Sequence, residues 1–346
     1  MSDRVFAGLL ISLTLGACAA LTPGEPSPQQ ISASVAAIYS GRATFHLERN
    51  NVDQALENYN EAIRLDPKSA AAFEKRGTLY RDRGDIEQAI ADYDHAIRIE
   101  PTAGTFYRRG AAYASLGDVE RAVTDFTAAI RLDPRNPEIY GSRALVYRAL
   151  NQPQRAIADL SKAIDLNGQS TTYRLNRGAI YFEMNETDKA LADYDETIRL
   201  NPTFALAFSN RGNVFERKGD IARAIADYDR AIALDPKTAM HYYNRAVVQF
   251  GQGNFQQAIN DYDHVLALEP RDFISLHNRG LSYYRLQDND RAIADFDEAI
   301  RINPKFTRGY TARGNAYQAK GDMERALADF QEAARLMAPP AKVAGR

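Results

Sequence analysis

The chain has 346 residues, 45% hydrophobic and 25% charged, with a formal net charge of −2. There is no global basic field to draw nucleic acid, and no apolar stretch is long enough to span a bilayer as a permanent helix. The single cysteine, Cys18, excludes a disulfide framework and a cysteine zinc site. The five histidines (His46, His95, His241, His264 and His277) show no HExxH spacing and read as ordinary helix-surface or groove residues, so neither metal nor cofactor is expected.

In chain order, Met1–Arg4 is short and polar and Val5–Leu15 is apolar, the length of a signal-peptide core. Leu15-Gly16-Ala17-Cys18 follows and resembles the bacterial lipobox, whose cysteine is lipidated and becomes the mature N-terminus. Asp3 partly cancels Arg4, and such signals usually carry more positive charge. Two other readings stay open: an ordinary Ala17-Cys18-Ala19 cleavage site releasing a soluble protein, or an unprocessed tail on a cytosolic one. Residues 1–18 are thus expected to be an address. Residues 19–35, with three prolines and few large apolar side chains, read as a tether.

From residue 36 to about 337 one phrase recurs. Its alanine stands at Ala55, Ala89, Ala122, Ala156, Ala190, Ala224, Ala258, Ala292 and Ala326, 34 residues apart except for one interval of 33. With that alanine at place 20, place 8 is small (Gly77, Gly110, Gly178, Gly212, Gly280 and Gly314, otherwise alanine). Place 24 is aromatic except at Leu160, and place 32 is proline in seven repeats. Apolar residues fall at helical spacing on both sides of a break holding Gly84, Gly117, Gly219, Gly253 or Gly321, or else Asn50, Asn151 or Asn185. Asp85, Asp118, Asp220 and Asp322 then stand where they can cap the second helix.

This period and pattern resemble the tetratricopeptide-repeat family. The resemblance implies an all-α, right-handed solenoid (superhelix) of nine helix-turn-helix repeats, about eight units making one superhelical turn, with an inner groove that holds other polypeptides. Arg174 occupies a usually aromatic place, and Tyr173 beside it is a candidate substitute. Residues 338–346 read as a tail; Ala338-Pro339-Pro340 implies an incompletely capped end with Leu336 partly exposed.

Two ladders go beyond the generic repeat. Place 7 is arginine in all nine units, and place 23 is aspartate in the last eight, with Asn58 in the first. An unpaired half-buried charge is costly, so the two places are expected to pair rather than form an anion-binding row. Place 6, which faces the groove in this family, is asparagine at Asn176, Asn210, Asn244 and Asn278. The run resembles the asparagine ladder lining the superhelix of O-linked N-acetylglucosamine transferase. A carboxamide can pair with any peptide unit of a guest chain. Tyr243, Val247, Phe250, His277, Leu281 and Tyr284 complete the candidate peptide-binding set, while Glu74, Arg81, Asp82, Tyr107 and Ser115 make the earlier units polar. No P-loop, G-x-S-x-G or metal motif appears, so the chain reads as non-enzymatic; the resemblance and the lipobox imply a scaffold of a Gram-negative envelope, periplasmic and anchored in the outer membrane through Cys18. Its partners would be extended segments of other proteins, with no nucleic acid.

Overall fold

The computed structural model describes residues 27–337, all helices and turns. Cys18, the apolar segment before it and the 338–346 tail lie outside the described residues. Each repeat supplies two helices. They are α1 (Pro28–Glu48), α2 (Val52–Leu65), α3 (Ala70–Arg83), α4 (Ile86–Ile99), α5 (Ala103–Ser115), α6 (Val119–Leu132), α7 (Pro137–Ala149), α8 (Pro153–Leu166), α9 (Thr171–Glu183) and α10 (Thr187–Leu200). There follow α11 (Ala205–Arg217), α12 (Ile221–Leu234), α13 (Ala239–Gly251), α14 (Phe255–Leu268), α15 (Phe273–Arg285), α16 (Asn289–Ile302), α17 (Thr307–Ala319) and α18 (Met323–Met337). The chain divides into two compact units, residues 1–146 and 147–346.

Two contacts build each repeat. The aromatic ring at place 24 is almost wholly buried, as at Tyr59, Tyr93, Tyr194, Tyr228, Tyr262 and Phe296. It lies directly on place 8 of the partner helix. A Cβ added at Gly280 would come 2.6 Å from the Phe296 ring, and one at Gly212 would come 2.7 Å from Tyr228. Place 8 is therefore small because the ring needs its space. The turn between the helices has a left-handed residue, Gly84, Gly117, Gly219, Gly253 or Gly321, or Asn50, Asn151 or Asn185. Gln287 takes the same conformation at φ 64°. The sequence pattern does not announce it, because glutamine has no preference for that region. The residue after it closes the helix by donating to the carbonyl five residues back, as from Asp288 to Tyr283 at 2.9 Å.

Three expectations are corrected. The tether does not run to residue 35: α1 begins at Pro28. Ser27 accepts from the Gln30 amide while the Gln30 side chain accepts from the Ser27 amide, with proline in the first turn, a complete helix-start signal. The Ser32 hydroxyl then ties this turn to the Leu65 carbonyl at 2.7 Å. Second, Asp118, Asp220 and Asp322 cap their helices, but Asp85 does not. The capping aspartates also accept from an arginine three residues on, Arg121, Arg223 or Arg325. Asp85 has Gln88 there and leans toward Arg83 instead, at 3.4 Å. Third, Arg174 needs no substitute. Its guanidinium donates to the Gly168 carbonyl at 2.7 Å, the bond that the Tyr140 and Tyr310 hydroxyls make to the Pro134 and Pro304 carbonyls.

The arginines of place 7 do pair with the aspartates of place 23, sixteen residues on. Arg76–Asp92, Arg109–Asp125, Arg177–Asp193, Arg211–Asp227, Arg245–Asp261, Arg279–Asp295 and Arg313–Asp329 are bidentate, with N···O distances of 2.6–2.9 Å. The sequence reading missed the third member. The remaining guanidinium nitrogen reaches back to place 25 of the preceding repeat: Asn60, Asp94, Ser161, Asp195, Asp229, Asp263 or Asp297. Arg143 reaches Thr127 in the same way at 2.9 Å. Place 25 always offers an oxygen, which was the legible signal. Each of these seven arginines thus fastens its own two helices and welds its repeat to the one before. Arg42 lies exposed with no carboxylate among the described residues, as Asn58 in place of aspartate implies. We expect Asp227→Ala, which strands a half-buried guanidinium, to cost about 2–4 kcal/mol, and Arg42→Ala less than about 0.5 kcal/mol. Urea unfolding midpoints of the two variants check the contrast.

Candidate peptide-binding face

The candidate residues belong to the first helices of their repeats, α9, α11, α13 and α15, all in residues 147–346. Place 6 of α9, α11, α13 and α15 carries the four asparagines, each half-buried. They are not equivalent. Asn244 donates to Asn213 at 3.1 Å and to Ser209 at 3.4 Å, and Asn278 donates to the Tyr243 hydroxyl at 3.4 Å. The Asn176 and Asn210 carboxamides make no hydrogen bond among the described residues, leaving donor and acceptor open.

Asn213 is a further member that the sequence reading did not include. It stands three residues after Asn210, hence on the same helical face, and accepts from the Tyr228 hydroxyl at 2.7 Å as well as from Asn244. Burial beside the Glu216 carboxylate pushes the Tyr228 phenol up, so it remains a donor. The helical offset from place 6 to place 9 was the available signal.

The apolar set is partly packed away. Tyr243 stands edge-on to Tyr262 with ring centres 6.1 Å apart, Phe250 edge-on to Phe255 at 5.3 Å, and both are half-buried, as is Val247. Met240, on the same helix, is 56% exposed. His277 and His241 correct the expectation of surface or open-groove histidines: both are buried. The His277 ring lies between Phe296 and Phe306, at 5.5 and 5.0 Å, and its Nδ1 has no hydrogen-bond partner among the described residues. Burial, aided by Arg308, pushes its pKa down to about 4.

His277, Leu281 and Tyr284 meet in one cavity of about 280 Å³. Its other wall is the ninth repeat, with Arg308, Thr311 and Asn315 on α17 and Met337 at the end of α18. The candidate set stopped at the eighth repeat and so contained only half of this cavity. It mixes an apolar floor with a guanidinium and a carboxamide, the composition of a side-chain subsite.

In residues 27–146 the corresponding first-helix places are polar, and several of their side chains satisfy one another. Glu74 accepts from Thr105 at 2.5 Å and from Arg108 at 3.2 Å, and Arg81 bonds to Asp82. The Tyr107 and Ser142 hydroxyls lie 3.3 Å apart. At place 6 the half-buried carboxamides of Asn176 and Asn210 are without a hydrogen bond among the described residues, whereas Lys75 is exposed to solvent.

Models described as tetratricopeptide repeat match residues 41–104, 137–170, 212–276 and 307–336, and a model described as TPR repeat matches 110–150, 178–219 and 280–321. The chain belongs to the tetratricopeptide-repeat family. Solved structures share its fold. A tetratricopeptide repeat protein from Parabacteroides merdae is 24% identical, with a TM-score of 0.54 over 68% of this chain and 93% of that one. Pseudomonas aeruginosa pilF is 19% identical, with a TM-score of 0.54 over 63% and 97%. The APC/C hetero-tetramer Cut9-Hcn1 gives 16% identity and a TM-score of 0.53 over 92% and 76%. At these identities the likeness is one of fold. No curated protein matches the sequence at a significant level.

The buried histidine gives this face a pH signature. In the unfolded chain His277 takes up a proton near pH 6.5; in the folded protein it stays neutral down to about pH 4. The unfolded state therefore binds more protons in that window, and stability falls as pH falls through it. We expect a loss of about 2 kcal/mol between pH 8 and pH 5 that His277→Leu removes. Urea midpoints across that range, wild type against variant, measure it; an unchanged pH profile in the variant contradicts the assignment.

Proposed function

We infer that this chain, built of repeats that form protein-interaction scaffolds, serves as such a scaffold. We propose that it holds extended segments of partner proteins along the first-helix face of residues 171–319, without catalysing a reaction on them. The observation that carries this reading is the pair of half-buried carboxamides, Asn176 and Asn210, with no hydrogen-bond partner, on the face that continues to the cavity at His277, Leu281 and Tyr284. An unsatisfied carboxamide offers a donor and an acceptor to one peptide unit, whatever the guest's side chains. Packed helices lie about 8–10 Å apart and an extended chain advances about 3.3 Å per residue, so successive asparagines meet peptide units roughly three residues apart. Each such bond contributes only about 0.5–1.5 kcal/mol net. Selectivity then comes from side-chain subsites such as Tyr243–Phe250 and the Leu281–Tyr284 cavity.

Two sets of changes separate the roles. Replacing Asn176, Asn210, Asn244 and Asn278 with alanine weakens all peptide guests to a similar degree. Replacing Phe250 and Tyr284 with alanine weakens only guests with large apolar side chains. Calorimetry against a panel of extended peptides measures both, and binding unaffected by either set removes this face as the site.

The second part of the proposal is a tether: lipid on Cys18 would hold the scaffold at the periplasmic side of a Gram-negative outer membrane. Its support is the Leu15-Gly16-Ala17-Cys18 sequence after an apolar core, with Ala19 rather than aspartate following. Cys18→Ser is expected to shift the protein from the membrane to the soluble fraction. Unchanged fractionation leaves a scaffold without a lipid anchor.

A further inference from the structure

Within each unit, consecutive repeats meet in one repeated pattern. Places 17, 21 and 24 of a second helix are covered by place 10 of the next first helix. Leu56 and Tyr59 pack with Leu79, Tyr93 with Ala112, Tyr194 with Val214, Tyr228 with Val248, and Phe296 with Ala316. A polar latch flanks this contact where the residues allow it. Three repeats after the first have a basic residue at place 14, and each pairs with the acid at place 18 of the repeat before: Arg83–Asp53 at 3.3 Å, Lys218–Asp188 at 2.5 Å, and Lys320–Asp290.

The first and ninth repeats each hold half of that pattern. In α1, places 3 and 10 are Ile38 and Phe45, 46% and 49% exposed. In α18, places 17 and 21 are Met323 and Leu327, 59% and 58% exposed, and Phe330 at place 24 is only half-buried, unlike its fully buried counterparts. The polar groups divide in the same way. Arg49 at place 14 lies over the Phe45 ring at 3.6 Å and, among the described residues, has no carboxylate; Glu324 at place 18 is exposed and has no cation among them. Among the described residues Arg42 meets no place-25 acceptor, and Gln331, at place 25 of the ninth repeat, is exposed with no guanidinium. A repeat face that stays in water is usually polar, and these two expose large apolar side chains.

We propose that the ninth repeat of one copy receives the first repeat of a second copy, the two stacking as consecutive repeats do within a chain. Ile38 and Phe45 cover Met323, Leu327 and Phe330. Arg49 pairs with Glu324, and Arg42 donates to Gln331. The unbranched methionine adapts to the Phe45 ring, which is larger than the residues at place 10 elsewhere. The two surfaces differ, so the contact is heterologous and each copy keeps one free end of each kind, which carries association past a dimer.

Light scattering of the full-length chain during size-exclusion chromatography tests this, with circular dichroism as the check on folding. The wild-type mass rises with concentration beyond two copies. Phe45→Glu and Leu327→Glu each stay monomeric alone, because each lacks one of the two faces. Mixed, they form a heterodimer and nothing larger, since the first retains an intact ninth repeat and the second an intact first repeat. Arg49→Glu weakens wild-type association, and adding Glu324→Arg restores it. The proposal is overturned by a wild-type chain that is monomeric at all concentrations, by association that stops at a symmetric dimer, by either single variant still associating, or by a mixture that stays monomeric. A monomer whose Met323 resists oxidation means that a segment of the same chain covers the face, and overturns it equally.

Discussion

The place-7 guanidinium is the interaction on which the rest of this molecule depends. A repeat of two short helices cannot bury enough apolar surface to stand alone, so its neighbours must be held in register. Here the register is set by a planar fork with three bonds. Two go to an aspartate on the partner helix and one to the preceding repeat, as Arg245 shows with Asp261 and Asp229. The aspartate is nearly buried, and a buried carboxylate is tolerable only with both oxygens satisfied. The bidentate geometry meets that condition and fixes the rotation of one helix against the other. The place-24 ring then drops onto the small residue at place 8, and within each unit the first helices line up on one face.

Much of this was legible because repetition makes each position an experiment performed nine times. The period, the turn glycines, the small residue at place 8 and the arginine–aspartate pairing all followed from comparing places. What escaped was local to one repeat or depended on direction in space. Gln287 occupies a left-handed turn that its identity does not advertise. Asp85 fails to cap because Gln88 replaces the arginine that locks the other caps. Ser27 to Gln30 start a helix where proline content alone suggested a tether. Arg174 looked like a defect, yet its guanidinium reaches the carbonyl that a tyrosine hydroxyl reaches elsewhere.

The candidate site was legible to a lesser degree, for a related reason. Four asparagines at one place were visible in the sequence, but their different states were not, since these depend on what stands three residues away and one repeat before. Ser209 and Asn213 occupy Asn244, and the Tyr243 hydroxyl occupies Asn278, while Asn176 and Asn210 have no such neighbour. His277 read as a groove residue because its place faces the groove. The side chain is nonetheless enclosed by Phe296 and Phe306, and only the far wall from the ninth repeat turns its surroundings into a cavity.

The interval of 33 residues between Ala89 and Ala122 falls in the turn between α4 and α5, which has three residues where Asp66–Ser69 has four. The bonds across that turn survive: Arg109 still reaches Asp94 at 2.5 Å. A deletion there is absorbed because the turn carries none of the fastening groups, whereas one inside a helix would swing the arginine away from both partners. Adding or removing a whole repeat after the first would therefore regenerate every joint, since each of those repeats brings its own arginine, aspartate and place-25 oxygen. Length in such a protein is inherited in steps of one repeat, and a lineage can extend its binding face without inventing a new contact.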